Sequence, residues 1–256
     1  LDADEAPAEP LYTTEDANKA LELRKTVDYE QWITPGPGVR ARYWNAGHIL
    51  GSASIEVEVL DGDNKPVRIL FSGDLGPDEK VFYNNPEAPS DFDYILCEST
   101  YGGRERDDYT LVERREELKL EINEALRRGG NLVIPAFAVE RSQELLHDIG
   151  LLIKDGEISP SLVFLDSPLA SKVTAVYKKH AAMFDDVELS ASELFSDSRF
   201  RIIEAVEDSK AINAIKGGAI IMSASGMADA GRIKHHLRNN LPRANATVLF
   251  VGYQAP

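Results

Sequence analysis

Cysteine is almost missing from this chain of 256 residues, where Cys97 is the single thiol. One cysteine excludes an internal disulfide framework and suits a reducing cytoplasm. Positive charge is also scarce. Lys and Arg number 28 against 43 Asp and Glu, for a formal net charge of −15. That balance excludes a general nucleic-acid coat, because phosphate binding draws on Lys and Arg, but it leaves room for a local basic groove. No apolar run approaches the length a membrane span needs, so no membrane partner is expected. A signal peptide is not expected either, since the opening LDADEAPAEP is acidic and proline-rich. A cytoplasmic location follows as the expectation. There is no internal repeat and no long low-complexity tract.

What is present reads as a globular chain. Apolar content is 43%, which rules against wholesale disorder, and the length suits one large domain or two modest ones. The chain opens on Leu1 and stops at Pro256, just after the apolar run TVLFVG. We expect it to be a piece of a longer polypeptide.

The pattern changes near residue 103. TTEDANKALELRKTV reads as a helix with Thr13 or Thr14 as its N-cap. VRARYWNA (39–46) reads as a strand. SIEVEVLDGDNKPVRILFSGD reads as a hairpin in which Ile55, Val57 and Val59 alternate with acidic residues and DGDNK turns. DYILCEST (93–100) reads as a short buried strand. Beyond 103, helix and strand alternate. Leu111, Leu118, Ile122 and Leu126 stripe a helix that stops at Gly129 and Gly130. NLVIPAF follows as a strand, then a helix striped by Leu145, Leu146, Ile149, Leu152 and Ile153, then the strand SLVFLD (161–166). Ser167 is the N-cap and Pro168 the first residue of the next helix. GAIIMSAS (218–225) reads as a strand, Gly226 to Asn240 as a helix and TVLFV as a strand. Such alternation implies an α/β fold with a mostly parallel sheet covered on both faces.

Chemistry-bearing residues stand at strand ends. In NAGHILGSA, His48 follows Gly47 and precedes a run of small residues. It reads either as a metal ligand aimed from a loop or as a satisfied histidine at a strand end. Asp74, after ILFSG, reads as a carboxylate reaching into a cleft or as a turn residue. Glu98, after YILC, reads as a proton donor, a carboxylate orienting one, or a cap. Three polar groups meeting on one rim would make a site. A second candidate is MSASGMADAGR, where a strand runs into a Gly-containing turn that opens a helix. Amides there, with Ser223, Ser225 and Gly226, can hold a phosphate, and Arg232 can add charge or pack structurally. DSPLASK repeats that geometry with Ser167 and Lys172. His235 and His236 are consecutive on a helix and project about 100° apart, so surface or cap roles suit at least one. His147 and His180 read as solvated.

The ordered set NAGHILGSA, FSGDLG, CESTYGGR, IPAFAVERSQELL, FLDSPLA, SASGMADAGRIKHHL and VLFVGYQA resembles the β-CASP group of metallo-β-lactamase-fold RNA-processing nucleases. The nearest style is the bacterial RNA-processing exonuclease. The resemblance runs from about PLYTTEDA to the last residue. It implies a partial metallo-β-lactamase αββα sandwich over 1–102 and a β-CASP parallel α/β domain over 103–256, truncated before its return to the first. It implies a two-zinc ribonuclease in which His48 and Asp74 are metal ligands, Asp74 bridging both ions, and Glu98 and Asp74 serve catalysis. Metal-activated water would hydrolyse a phosphodiester of single-stranded RNA. Arg141, Lys172 and Arg232 would supply local positive charge. A homodimer is left open.

Departures from the family pattern bear on this. The signature His-x-His-x-Asp-His is absent, its place lying upstream of Leu1, and two histidine motifs belong downstream of Pro256. Two candidate ligands cannot hold two zinc ions, since a catalytic zinc takes about three protein ligands. The piece is therefore expected to bind metal weakly or not at all and to be inactive alone. Arg106 stands where a histidine often follows, and Glu140 replaces a common glycine before Arg141. The alternatives are a non-catalytic β-CASP homologue that binds RNA or a nuclease partner, and a nucleotide-binding α/β domain. The last lacks both G-x-G-x-x-G after its first strand and a Walker lysine loop.

Overall fold

The structure, a computed structural model, describes residues 10–60, 65–77, 80–82, 85–87, 89–103, 110–181, 184, 197–252 and 254. The expected turn at 61–64 and Arg106 lie outside the described residues.

A short helix, α1 (Thr14–Glu22), opens the fold behind a capping box in which the Thr13 hydroxyl accepts from the Asp16 amide and the Asp16 carboxylate accepts from the Thr13 amide. Five strands then form the first sheet in sequence order: β1 (Ile33–Gly36), β2 (Val39–Asn45), β3 (Ala53–Val59), β4 (Val67–Phe71) and β5 (Tyr94–Leu96). The pairs are antiparallel except β4 with β5, which is parallel.

The alternation along β3 buries its acids more deeply than its aliphatics. Glu56 and Glu58 are buried, while Ile55, Val57 and Val59 are half-buried. Cross-strand partners explain this. Glu56 accepts from Arg42 Nε at 2.7 Å, Arg68 Nη2 at 2.7 Å and Trp44 Nε1 at 2.8 Å. Arg40 and Arg42 in turn lie over the Trp32 ring at 4.6 and 4.5 Å. A buried carboxylate is tolerated when it is paired and hydrogen-bonded in this way. The strand at 93–100, expected to be buried, is exposed along all three residues of β5. It pairs with β4 alone among the described residues and forms the sheet's edge.

The second part carries α2 (Leu111–Arg127), β6 (Leu132–Pro135), α3 (Arg141–Lys154), β7 (Leu162–Asp166), α4 (Pro168–Lys179), β8 (Phe200–Ile203), α5 (Val206–Ala211), β9 (Ala219–Ser223), α6 (Ile233–Asn240) and β10 (Thr247–Val248). Its five strands form a wholly parallel sheet in the order β10-β6-β9-β7-β8. Leu132, Ile134, Leu146, Ile149, Leu165, Ile220 and Met222 are fully buried at its centre. The fold is thus α/β, a mixed sheet followed by a parallel sheet with helices around it, as the resemblance leads one to expect.

Three further expectations are corrected. The helix expected from Gly226 begins at Ile233, and the turn before it places Gly231 at φ +78°. His147, expected to be solvated, is buried because α3 is covered nearly all round, and its ring meets Phe82 edge-on at 5.6 Å. His180 caps α4 and is half-buried. Strands β1 and β8 and helix α5 were not expected from the sequence.

Candidate functional site

Parallel pairing of β4 and β5 brings two acids to one end of the first sheet. Asp74 lies three residues past β4 and Glu98 two past β5. The Ser72 amide donates to the Leu96 carbonyl at 2.9 Å, and the Glu98 amide donates to Ser72 Oγ at 2.9 Å. Glu98 Oε1 accepts from the Leu75 amide at 3.0 Å and Oε2 from the Thr100 amide at 3.1 Å. Those amides hold its carboxyl below the usual range, with His48 close enough to lower it further. Glu98 is therefore an ionised acceptor at neutral pH, which suits a carboxylate orienting a proton donor better than the donor itself.

His48 reaches the same edge from the loop between β2 and β3. Ser52 Oγ accepts from the His48 amide at 3.0 Å and the Ile49 amide at 3.1 Å. The loop is clamped to the segment after Asp74, because the Gly76 amide donates to the Ala46 carbonyl at 2.8 Å. A Cβ at residue 76 would fall 1.8 Å from the Gly47 carbonyl oxygen, so this contact needs glycine. The backbone thus brings His48, Asp74 and Glu98 to one end of the first sheet, with Asp74 exposed there. They do not complete a metal site. Among the described residues, no three His, Cys, Asp or Glu side chains are placed to hold one ion. His48 and Asp74 are two donors where a catalytic zinc takes about three, and both Glu98 oxygens already accept backbone N–H groups.

Two residues at this edge were missed. Lys80 donates to the His48 carbonyl and to the Glu140 carboxylate. Burial pushes the Glu140 carboxyl above its usual range, against the pull of Lys80. The displaced glycine before Arg141 was a sequence signal for Glu140, and nothing in the sequence marked Lys80.

The expected phosphate-binding residues fall into a different arrangement. Asp166, at the end of β7, is fully buried. It accepts from Arg232 Nη1 at 2.7 Å and Ser209 Oγ at 2.5 Å, and lies 2.6 Å from His236 Nε2. Burial pushes Asp166 up, but His236, Ser209 and Arg232 outweigh it and leave the carboxyl below its ordinary value. Ser223 is buried and its hydroxyl donates to the Asp166 carbonyl at 2.7 Å. Arg232 also donates to the Glu204 carbonyl at 2.7 Å. Ser167 caps α4 by accepting from the Ala170 amide at 3.2 Å. Ser223, Arg232 and Ser167 are thus bound up in the structure of the fold. Ser225 donates to Asp229, and the Gly226 carbonyl accepts from Gln254 at 2.9 Å. Arg141 donates to Glu144 at 2.7 Å and lines a cleft of about 280 Å³ with Arg114, Asp148, Leu249 and Val251. Lys172 is exposed on α4. His235 is exposed while its neighbour His236 is buried, as their separation around the helix requires.

Residues 142–256 match the Beta-Casp domain. Over 252 residues the chain is 35% identical to a protein named Ribonuclease TTHA0252 from Thermus thermophilus, covering 96% of this chain and 56% of that protein. It is 32% identical over 247 residues to an RNase J-like protein from Methanocaldococcus jannaschii, covering 95% and 56%. It is 27% identical over 245 residues to Transcription termination factor FttA from Methanosarcina mazei, covering 93% and 38%. The chain spans about half the length, or less, of these curated relatives.

Proposed function

We propose that this chain, whose residues 142–256 match the Beta-Casp domain and which is similar to a protein named ribonuclease, belongs to the β-CASP RNA-processing nucleases of the metallo-β-lactamase fold and is a zinc-dependent ribonuclease acting on single-stranded RNA. The observation that supports the reading is that the backbone brings His48, Asp74 and Glu98 to the same end of the first sheet. Proteins of this group are generally metal-dependent. The described residues supply too few donors for zinc, so the reading requires further ligands. The 256 residues alone are expected to cut no RNA.

The chain's own groups have definable tasks. Glu98 stays ionised and orients a proton donor to the leaving group. Asp74 and His48 stand exposed and half-buried, within reach of a substrate. Ser225, Gly226 and Arg141 are proposed to contact RNA phosphates directly. Ser167, Ser223 and Arg232 shape the turn that presents those contacts. Division into 1–102 and 103–256 leaves one complete sheet in each part. A cytoplasmic location belongs to the same reading.

The scarcity of metal donors among the described residues is compatible with a second reading, a β-CASP homologue that binds RNA or a nuclease partner without cutting. Metal analysis and RNA cleavage by the complete protein separate the two. The first reading expects near two zinc per chain, and cleavage abolished in His48→Ala and Asp74→Ala. A metal-free protein that binds RNA without cutting it supports the second, and unchanged cleavage in both variants rejects the site.

A further inference from the structure

The His48 peptide is held from both sides. Its amide donates to Ser52 Oγ, and its carbonyl accepts from the Lys80 ammonium. An ammonium carries three donors and no acceptor, so one lysine can hold two oxygens at once. The second oxygen is the Glu140 carboxylate, which belongs to the loop between β6 and α3. The Lys80 side chain is 8% exposed and that of Glu140 12%, so water competes little for either.

Glu140 occupies an unusual backbone well. Its φ is 70° and ψ −68°, and the Arg141 amide donates to the Val139 carbonyl at 3.0 Å. This is a tight γ-turn of the hand that strains a residue with a side chain. Strain of this kind persists where surrounding structure over-determines it. Here it aims the carboxylate away from its own helix and toward Lys80. The Glu140 carbonyl meanwhile accepts from the Gln143 and Glu144 amides at 2.8 and 2.9 Å, fixing the residue to the start of α3.

We infer that Lys80 is a positioning residue for His48, anchored from the second part of the fold by Glu140. With its N–H and C=O both held, His48 keeps only side-chain rotation, within staggered wells, for placing its ring. The hold closes only when the β6–α3 loop is seated against the first sheet. The candidate site is therefore set by both parts of the chain, though its three residues come from the first. The inference rests on the reading of His48 as a site residue. A pair that merely fastened the two parts together would affect stability without touching the 45–53 loop.

The test uses the complete protein with Lys80→Met and Glu140→Gly, the glycine being at ease in the left-handed well. Hydrogen exchange at the His48 and Ile49 amides is the first readout. Each variant is expected to speed it about tenfold, and the double variant no more than Lys80→Met alone, as for two residues acting through one contact. RNA cleavage is the second readout, with kcat falling about tenfold and KM for RNA little changed, because misplacement of a reacting group affects the chemical step. Lys80→Arg is expected to restore part of the protection. Wild-type exchange at residues 48 and 49 in both variants overturns the inference. Should Lys80→Met not fold, Glu140→Gly alone decides. If the wild-type protein cuts no RNA, the ribonuclease reading fails, while the exchange measurement still judges the positioning role.

Discussion

A carboxylate's role depends on the amides around it, and Glu98 is the case in this chain. The sequence left it open as a donor, an orienting group or a cap. The deciding amides belong to Leu75 and Thr100, one of them 23 positions away, so no local pattern could report them. They hold Glu98 below its ordinary value of 4.5 in the folded state. A depressed carboxylate stabilises the fold above its unfolded pKa, and that contribution disappears as pH falls through the folded value. Glu98→Gln is therefore expected to flatten the loss of stability as pH falls below about 4.5, followed by urea unfolding at several pH values. An unchanged pH slope would show that the amides do not favour the ionised form. His48 left a local mark, since its glycine and small neighbours leave room around the ring, though the sequence kept a ligand and a satisfied histidine both open. Lys80 was not legible, because its contacts to residues 48 and 140 lie 32 and 60 positions away, the second in the other part of the chain.

Most elements were legible where periodicity was strong. Helices α2, α3 and α4 and strands β2, β3, β6, β7 and β9 lie where their apolar patterns placed them. The misses have physical causes. Strand β8 is four residues long and sits at a sheet edge, too short for a period to show. Helix α6 starts late because the backbone from residue 225 turns back on itself, the Ser225 amide donating to the Ala230 carbonyl at 3.1 Å. That turn is fastened to β7 by Asp166, which joins Arg232, Ser209 and His236. Removing one member of a buried ionic network leaves the others uncompensated. Asp166→Ala is expected to destabilise the protein by about 3–5 kcal/mol in equilibrium unfolding. A loss under about 1 kcal/mol would mean that Arg232 finds solvent instead and the network is dispensable. The same contacts explain why Ser223 and Arg232 looked like phosphate ligands in sequence, since a buried polar cluster and an anion site use the same residue types.

At the scale of the whole molecule the two sheets differ in how they are covered. The parallel sheet has helices around it and a fully buried centre. The first sheet buries its acidic and basic face and leaves its aliphatic face half-exposed, with Tyr94, Ile95 and Leu96 exposed on the edge strand. An edge strand with apolar side chains presents both unpaired backbone groups and an adhesive surface. The net charge of −15 opposes association through long-range repulsion, but salt screens that repulsion within about 8 Å at physiological ionic strength. Contact between apolar edges is not screened. The 256-residue chain is therefore expected to self-associate more as salt rises, the reverse of an assembly held by ion pairs. Sedimentation at low and high salt measures this directly. Tyr94→Lys, which places a charge on the aliphatic face, in line with Ile69 and Val57, at a side chain now 63% exposed, is expected to weaken the association without unfolding the sheet. A chain that stays monomeric at every salt concentration would mean that the exposed face is not adhesive. Association that weakens with salt would assign it to charge instead.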